Sequence, residues 1–341
     1  MTLATHSGCE CQNRTTCCAL SKIDERPSPP ENPLGTTGEK VTGQPWPLAL
    51  TTEKSNNSAY SCVRCEPLSM NTIDPTARVE DGAVIGEGTT VGPYCVIGRH
   101  AVIGDNCKLI GHVHVMGHTS IGSDCVISPF TTLGSAPQDL SYRGEPTRLE
   151  IGSACTIREG VTMNVGTVKG GGLTRVGDRG FFMNNSHVGH DCMVGNDVIF
   201  ASSATLGGHC EIGDFVYIGG LSAVHQFTRI GHQVMVGGVC GVRGDVIPFG
   251  LVNGQYAVLE GLNIVGMRRR NFSRERLTKL RAFYLKLFHG SGVFAERLKS
   301  VQPMAGEDHA IAEILTFIEN GKHRPLCLPA EQREENRSRV N

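Results

Sequence analysis

An apolar residue recurs at every sixth position from Val176 to Val242, without exception. A small residue, usually glycine, often follows it, as in Val194-Gly195 and Ile212-Gly213. A period of six fits neither an α-helix, which repeats near 3.6 residues, nor an isolated strand, which repeats at two. It is typical of a parallel β-helix built from short straight segments, each sending one aliphatic side chain inward. Three such segments make a triangular coil of about 18 residues.

The same ladder runs from Ile73 to Leu133, breaks over 134–150, and is interrupted again by the glycine-rich stretch 166–172. Successive coils stack at about 4.8 Å, and each coil needs neighbours to bury its inward face. A solenoid tolerates insertions that leave through a corner, and such loops often carry function. We therefore predict a β-solenoid over residues 70–265.

The period fades after Val242, and amphipathic spacing replaces it. Ser273 is a suitable N-cap for a helix that reaches about His289, and two shorter helices are predicted near 293–300 and 308–320. We expect a helical C-terminal domain over 266–328 and a flexible, solvated tail over 329–341.

Residues 1–69 are rich in Ser, Thr and Pro and have no sustained periodicity, so we expect a disordered extension, with Met70 as a candidate natural start. Cys62 and Cys65 have the spacing of half a metal or redox site but lack a second pair. The ladder cysteines are predicted to be buried thiols in a reducing cytoplasm; they are Cys95, Cys107, Cys125 and Cys155.

A formal net charge of −1 gives no indication of a nucleic-acid partner, and no apolar run is long enough to span a membrane. The ladder predicts that four histidines stack within about three coils on one side: His187, His190, His209 and His225. Asp191 is placed to orient His190. Such a cluster suits acid/base chemistry, because imidazole changes its charge near neutral pH.

Several short motifs occur in order around these histidines. They are Gln138-Asp139-Leu140, Gly144–Arg148, Asn185-Ser-His-Val-Gly-His-Asp-Cys192, Leu206-Gly-Gly-His209, Ala223-Val-His-Gln-Phe227, Gly261-Leu-Asn-Ile-Val-Gly266, Arg268–Arg270 and Asn271–Glu275. Together they resemble the family of acyl-(acyl-carrier-protein):UDP-N-acetylglucosamine O-acyltransferases of lipid A biosynthesis, over about Met70 to Asn320.

This resemblance implies a homotrimer of left-handed parallel β-helices with helical C-terminal caps and active sites between neighbouring subunits. The implied reaction transfers a 3-hydroxyacyl group from acyl carrier protein to the glucosamine 3-hydroxyl of UDP-N-acetylglucosamine, the first step of lipid A biosynthesis. It implies a cytoplasmic enzyme without metal or other cofactor. Basic residues of the predicted Ser273 helix would attract the acidic carrier protein or form an ordinary solvated face; they are Arg274, Arg276, Lys279, Arg281 and Lys286.

The resemblance also implies a role for individual residues. His190 matches the general base, Asp191 a group that fixes its tautomer, and Gly208 the backbone donor for the oxyanion. The positions matched to UDP-sugar binding are His187, His209, His225 and Gln226, and those matched to nucleotide and phosphate contacts are Asn263, Arg269 and Arg270. Asp139, beside Gln138, matches the group that binds the 3-hydroxyl of the acyl chain. Gly238 matches the position that sets chain length, where a glycine favours a long chain.

Three positions depart from the family pattern: Asn164 stands where histidine is common, Val265 where glutamate is, and Ser141 where lysine is. One alternative is therefore transfer to a UDP-sugar with a 3-amino group. A second is a zinc lyase of the γ-carbonic-anhydrase type, which needs three close imidazoles. A third is a non-catalytic solenoid. The N-acyltransferase that acts later in the same pathway fits less well, because it normally has a separate N-terminal uridine-binding domain.

Overall fold

The structure is a computed structural model that describes residues 71–321 and 323–332. The predicted extension over 1–69, with Cys62 and Cys65, lies outside the described residues, as does 333–341 of the predicted tail. The boundaries expected for those two segments stay predictions.

Short strands, numbered β1 to β28 in chain order, form three sheets that the chain visits in turn. The first sheet contains β1 Thr72–Ile73, β4 Thr90–Val91, β7 Lys108–Leu109, β10 Val126–Ile127, β13 Thr156–Ile157, β16 Phe181–Phe182, β19 Ile199–Phe200, β22 Tyr217–Ile218, β25 Met235–Val236, β27 Gly250–Asn253 and β28 Val258–Leu262. The second contains β2 Arg78–Val79, β5 Val96–Ile97, β8 His114–Val115, β11 Thr132–Ser135, β14 Thr162–Asn164, β17 His187–Val188, β20 Thr205–Leu206, β23 Ala223–Val224 and β26 Gly241–Val242. The third contains β3 Val84–Ile85, β6 Val102–Ile103, β9 His118–Ile121, β12 Arg148–Ile151, β15 Leu173–Val176, β18 Met193–Val194, β21 Glu211–Ile212 and β24 Arg229–Ile230.

The strands of each sheet pair in parallel, in the 18-residue register that the ladder predicts. His187 of β17 lies opposite Thr205 of β20, and Thr205 lies opposite Ala223 of β23. Residues 18 positions apart therefore stack directly above one another along the solenoid. The parallel coil ends at β27, which β28 joins in antiparallel pairing.

The predicted ladder fills the interior of the coil. Its members from Val91 to Val242 are almost completely buried, and Phe182 packs against Phe200 at the centre with ring centroids 4.9 Å apart. Ile73, in the first coil, is instead 45% exposed. A terminal coil has a neighbour on one side alone, so its inward side chain cannot be fully covered.

The corners form three edges, which we call edge 1/2, edge 2/3 and edge 3/1 after the sheets they join. Backbone N–H groups that point away from the ladder are capped by side chains along edge 3/1. There Asp214 Oδ1 accepts a hydrogen bond of 2.6 Å from Asn196 N, and Asn196 Oδ1 accepts one of 2.8 Å from Asp178 N. These bonds satisfy donors that the corner geometry would otherwise leave unpaired.

Both breaks in the ladder leave the solenoid at edge 2/3. The first, 136–147, connects β11 to β12, and the second, 165–172, connects β14 to β15 and contains a 3-10 turn at Val168–Gly170. Because they leave at the same edge, both insertions lie beside the corner that follows β17.

Four α-helices follow the coil in the described chain: α1 Ile264–Arg269, α2 Arg274–Phe288, α3 Phe294–Val301 and α4 His309–Glu319. Ser273 Oγ accepts from Arg276 N and caps α2, as predicted. Helix α1 was not predicted. Asn263 Oδ1 accepts from Gly266 N and begins it, while the glycine inside the helix obscured the sequence signal.

The four predicted ladder thiols, Cys95, Cys107, Cys125 and Cys155, are fully buried. The sulfurs of Cys107, Cys125 and Cys155 lie near backbone carbonyls of the next coil, and Cys107 Sγ is 3.1 Å from Gly122 O. These cysteines therefore act as small core residues. Within the described residues, no helix combines the length and the apolar character that crossing a membrane requires.

We predict that Phe200→Ala lowers the free energy of unfolding by about 3–5 kcal/mol, because it opens a cavity in the centre of the coil. Phe130→Ala is the matched control, since Phe130 is 67% exposed at a corner. Chemical denaturation followed by circular dichroism measures both changes. Equal losses in the two variants would contradict the inward and outward assignment of these side chains.

Candidate active site

Edge 2/3 brings His190, Gly208 and His209 together, as the ladder predicts. His190 lies in the corner that follows β17, and Gly208 and His209 lie in the corner that follows β20, one coil further on. The rings of His190 and His209 meet edge to face, with centroids 5.0 Å apart. Both side chains keep part of their surface open to solvent, 13% for His190 and 22% for His209.

Asp191 fixes the orientation of His190. Its Oδ2 lies 2.8 Å from His190 Nδ1, and the Asp191 side chain is 1% exposed. The backbone N of Thr167 donates to Oδ1 and its Oγ1 donates to Oδ2, both over 2.7 Å. Thr174 Oγ1 accepts from Asp191 N over 2.8 Å, which holds the backbone of this corner.

The carboxylate of Asp191 is in its ionised form. Burial acts to raise the pKa of Asp191, but hydrogen bonds from His190 and Thr167 outweigh burial and hold that pKa below its ordinary value. An ionised carboxylate accepts and never donates, so Nδ1 of His190 must carry the proton in this pair. The other nitrogen, Nε2, is then free to accept a proton from a substrate.

Gly208 packs directly against the ring of His190. A Cβ at residue 208 would lie 2.7 Å from His190 Nε2, so only glycine leaves this ring in place. In the described chain, Gly208 N–H has no hydrogen-bond acceptor. Side chains cap the equivalent groups along edge 3/1, but none does so here. A free donor beside the imidazole has the character of an oxyanion-binding group.

His209 and His225 continue the same edge toward the C-terminal end of the solenoid. His209 stacks on Phe227, with ring centroids 4.4 Å apart and planes 6° from parallel. Burial lowers the pKa of His209, which favours its neutral form, although the charge of Asp191 acts in the opposite direction. His225 Nδ1 lies 2.7 Å from Arg324 Nη2, and Arg324 Nε donates to the carbonyl of Gln226 over 2.9 Å.

His187 and Asp139 lie at the margin of the cluster. His187 points outward from β17, and its Nδ1 lies 2.8 Å from Thr162 Oγ1. Burial, followed by the charge of His190, lowers the pKa of His187. Hydrogen bonds from Ser141 hold the pKa of Asp139 below its ordinary value, and the charges of Lys169 and His190 add to this effect. Gln138, the neighbour of Asp139 in the first insertion, is exposed.

Other predicted site residues do not join His190 within one chain. Asn263 Nδ2 donates to Gln233 O over 2.9 Å, and the Arg270 guanidinium lies 4.7 Å above the Phe215 ring, so both belong to edge 3/1. Arg269 is exposed at the end of α1. Gly238 lies in a corner of edge 1/2, where an added Cβ would meet only Gly220 O, at 3.5 Å.

The basic residues of α2 differ in their freedom to bind a partner. Arg276 forms two hydrogen bonds with Asp308, of 2.7 and 2.8 Å, and stacks on Phe272, so it has a structural role. Lys279 pairs with Glu275 at 3.2 Å on the surface. Lys286 Nζ donates to Ser300 O over 3.1 Å, so a carrier-protein surface on this helix depends mainly on Arg274 and Arg281.

His190, Asp191 and His209 have ligand atoms within 4.8 Å of one another, close enough to hold a metal ion. The set is two imidazoles and a carboxylate, however, and the carboxylate is already occupied by Thr167 and His190. The predicted zinc alternative requires three imidazoles around one ion. His187 does not supply the third, because its ring is not part of the group whose ligand atoms lie within 4.8 Å of one another.

Two contributors to this site were not predicted from sequence. Thr167 lies in a stretch that reads as a glycine-rich interruption, and Arg324 lies beyond the predicted helices. Thr167 carries a weak sequence signal, because an insertion at edge 2/3 must pass the corner of His190. Arg324 carries none, since its contact with His225 joins residues 99 positions apart.

Models of known families match two parts of the chain. The model described as Udp N-acetylglucosamine O-acyltransferase, domain 2, matches residues 245–327. The bacterial transferase hexapeptide model, of six repeats, matches residues 100–135.

Curated relatives match over most of their own length. "Acyl-[acyl-carrier-protein]--UDP-N-acetylglucosamine O-acyltransferase" from Azorhizobium caulinodans is 51% identical over 263 residues, which cover 77% of this chain and 97% of the relative. The protein of the same name from Caulobacter vibrioides is also 51% identical and covers 66% of this chain and 86% of its own length.

Solved structures share the fold. A crystal structure of UDP-N-acetylglucosamine O-acyltransferase from Moraxella catarrhalis has a TM-score of 0.72 and 38% identity, and covers 75% of this chain and 99% of its own. The enzyme from Francisella novicida has a TM-score of 0.74 and 29% identity, with coverage of 77% and 96%. The coil is accordingly the left-handed parallel β-helix with helical cap that was predicted.

The depressed pKa of Asp191 predicts a specific dependence of stability on pH. A carboxyl with a lower pKa in the folded state stabilises the fold above its unfolded pKa, near pH 4, and loses this contribution as the pH falls through the folded value. Asp191→Asn removes the titrating group. We expect the variant to be less stable than wild type at neutral pH, with a gap that narrows below about pH 4. Urea denaturation across this pH range measures the gap, and a constant gap would contradict the assignment.

Proposed function

The chain belongs to the UDP-N-acetylglucosamine O-acyltransferase family, and from that membership we propose that it transfers a 3-hydroxyacyl chain from acyl carrier protein to the 3-position of the glucosamine of UDP-N-acetylglucosamine. This is the first step of lipid A biosynthesis. The observation that supports the proposal most directly is the His190–Asp191 pair beside the free N–H of Gly208.

His190 is the general base in this proposal. A sugar hydroxyl is a weak nucleophile until its proton is removed during attack. Nε2 of His190 takes that proton while the hydroxyl oxygen attacks the thioester carbonyl, and the Asp191 carboxylate stabilises the imidazolium that forms. Collapse of the tetrahedral intermediate breaks the C–S bond, forms the ester, and releases the carrier's thiolate, which takes the proton back from His190.

Gly208 N–H stabilises the oxyanion of that intermediate. The support is that the group has no acceptor of its own and lies against the imidazole that acts on the nucleophile. A preorganised donor at the developing charge commonly contributes about 10²- to 10³-fold in rate. The absence of a Cβ serves two purposes here, because it admits both the thioester carbonyl and the ring of His190.

The remaining site residues have binding roles in the proposal. His209, His225 and Gln226 contact the sugar along edge 2/3, and His187 contacts it from the adjoining strand β17. The stack of His209 on Phe227 limits the movement of the His209 ring. Asp139, with Gln138 beside it, accepts from the 3-hydroxyl of the acyl chain. The open space at Gly238 favours a long chain over a short one.

The active site in this proposal lies between subunits of a homotrimer. His190 is on edge 2/3 of its chain, whereas Asn263 and Arg270 are on edge 3/1. One UDP-sugar can meet both groups if edge 3/1 of a neighbouring copy faces edge 2/3. A closed ring of identical contacts provides this arrangement at each interface. Arg269 and Arg270 would then contact the diphosphate, which a guanidinium binds through paired hydrogen bonds.

We predict that His190→Ala lowers kcat by at least about a hundredfold, the contribution of a general base. The assay uses 3-hydroxyacyl carrier protein and offers UDP-N-acetylglucosamine together with its 3-amino analogue, and mass spectrometry identifies the product. If the amide is the main product, the acceptor is the 3-amino sugar and not the 3-hydroxyl sugar of this proposal. Full activity of the variant would favour the non-catalytic solenoid, and stoichiometric zinc in the purified wild type would favour the lyase.

Mixed trimers test whether the site is shared. His190→Ala and Arg269→Ala are each assayed alone and should be weak or inactive. Co-refolded at equal amounts, they should regain about a quarter of wild-type activity, because about a quarter of the interfaces then pair an intact His190 with an intact Arg269. The same experiment with two separately tagged His190→Ala chains is the control and should regain nothing. No recovery in the mixed sample would place both groups in one subunit.

A further inference from the structure

We infer that Thr167 is a positioning residue for the acyl transfer, and that the glycine-rich insertion 165–172 serves to hold the Asp191 carboxylate against His190. This inference rests on the proposed function, since it concerns how the base is oriented. It assigns a role to a segment that the hexapeptide ladder does not need.

Thr167 provides two of the donors that meet the carboxylate. Its backbone N binds Oδ1 and its Oγ1 binds Oδ2, each over 2.7 Å, and Oδ2 also meets His190 Nδ1 at 2.8 Å. Thr167 is 3% exposed, so these bonds are shielded from water. Hydrogen bonds to a charged group are stronger than neutral ones, and burial removes the competing solvent. The carboxylate therefore has little freedom to rotate away from the imidazole.

Gly170 limits the same carboxylate from another side. A Cβ at residue 170 would collide with the Asp191 side chain, and the backbone there is not in the left-handed region. Glycine is therefore needed at this position because the Asp191 side chain occupies the space that a Cβ would take. Thr167 Oγ1 also accepts from Gly170 N over 3.1 Å, which closes the 3-10 turn around the carboxylate.

The location of the insertion supports the inference. An insertion in a solenoid can leave at any corner, and this one leaves at edge 2/3, directly before the coil that contains His190. Its turn, Val168–Gly170, contains no buried residue, so the turn adds nothing to the apolar core. Val165, at the start of the segment, is buried in the core, and the buried polar contact that the segment makes is the one between Thr167 and Asp191.

Thr167→Val is the direct test, because it replaces the hydroxyl with a methyl group of similar size. We expect kcat to fall about ten- to a hundredfold, the loss that follows removal of a hydrogen bond to a charged group. The KM for UDP-N-acetylglucosamine should change little, since Thr167 lies behind the catalytic pair. The acid limb of the kcat/KM profile should move to higher pH, because a carboxylate with fewer donors retains the imidazolium more strongly. Thr167→Ser keeps the hydroxyl and should therefore have the wild-type kcat and the wild-type acid limb.

A double-mutant cycle shows whether Thr167 acts through Asp191. Thr167→Val should cost far less kcat in an Asp191→Asn background than in wild type, because the group it positions is already altered. Gly170→Ala provides a second route to the same carboxylate and should also lower kcat. If Thr167→Val folds poorly, Gly170→Ala decides the matter, because an unchanged kcat in that variant would overturn the inference.

Thr89→Val is the matched control for the loss of a buried hydroxyl. Thr89 is fully buried near the start of the solenoid, and its Oγ1 donates to Gly104 O over 2.7 Å. This variant should lose thermal stability and keep the wild-type kcat and pH profile. An unchanged kcat in Thr167→Val, or equal costs in the two backgrounds of the cycle, would overturn the inference. If the wild-type protein transfers no acyl chain from any carrier thioester, the proposed function itself is wrong, which is a different outcome from a failure of the inference.

Discussion

The 18-residue register is the constraint on which the rest of the structure depends. One aliphatic side chain per segment must point inward, because that is how each short strand buries apolar surface. Once this register is fixed, every residue of a corner has a counterpart one coil away. Asp191, His209 and Phe227 lie in such a column, and all three have positive φ angles near 60°. The catalytic edge is therefore a consequence of the same repetition that forms the core.

Edges 2/3 and 3/1 use similar corners in opposite ways. Along edge 3/1, side chains such as Asp214 and Asn196 accept the outward N–H groups of neighbouring corners, which stabilises the backbone. Along edge 2/3, the N–H of Gly208 stays unpaired in the described chain, and imidazoles replace the amide and carboxylate caps. A donor left free at a buried corner costs stability. The same unpaired N–H can donate to a developing negative charge. The group that lowers the stability of the fold is thus the group that the proposed reaction uses.

Much of the fold and part of the site could be predicted from sequence. The six-residue period fixes which residues are inside, and counting in steps of 18 places His190, Gly208 and Gln226 on one edge, with His225 directly before Gln226. Period counting cannot place Thr167, because an insertion has no register of its own. It also cannot show that Asn263 and Arg270 lie on another edge, since that depends on how α1 returns to the coil. Helix α1 itself depends on one capping bond, from Gly266 N to Asn263 Oδ1, which outweighs the weak helix propensity of the glycine.

The stacking of equivalent corners has a consequence for how such a protein changes over evolution. Adding or removing a whole coil between His190 and α1 keeps every inward side chain in phase, whereas any other change in length must leave through a corner as a loop, as at 136–147 and 165–172, and does not lengthen the coil. The separation between the base and the helical cap can thus vary only in increments of about 4.8 Å, the spacing of neighbouring strands. In the proposed function, finer selection of acyl-chain length must come from single side chains that fill a corner or leave it open. A corner without a side chain, such as Gly238, is the natural place for such selection.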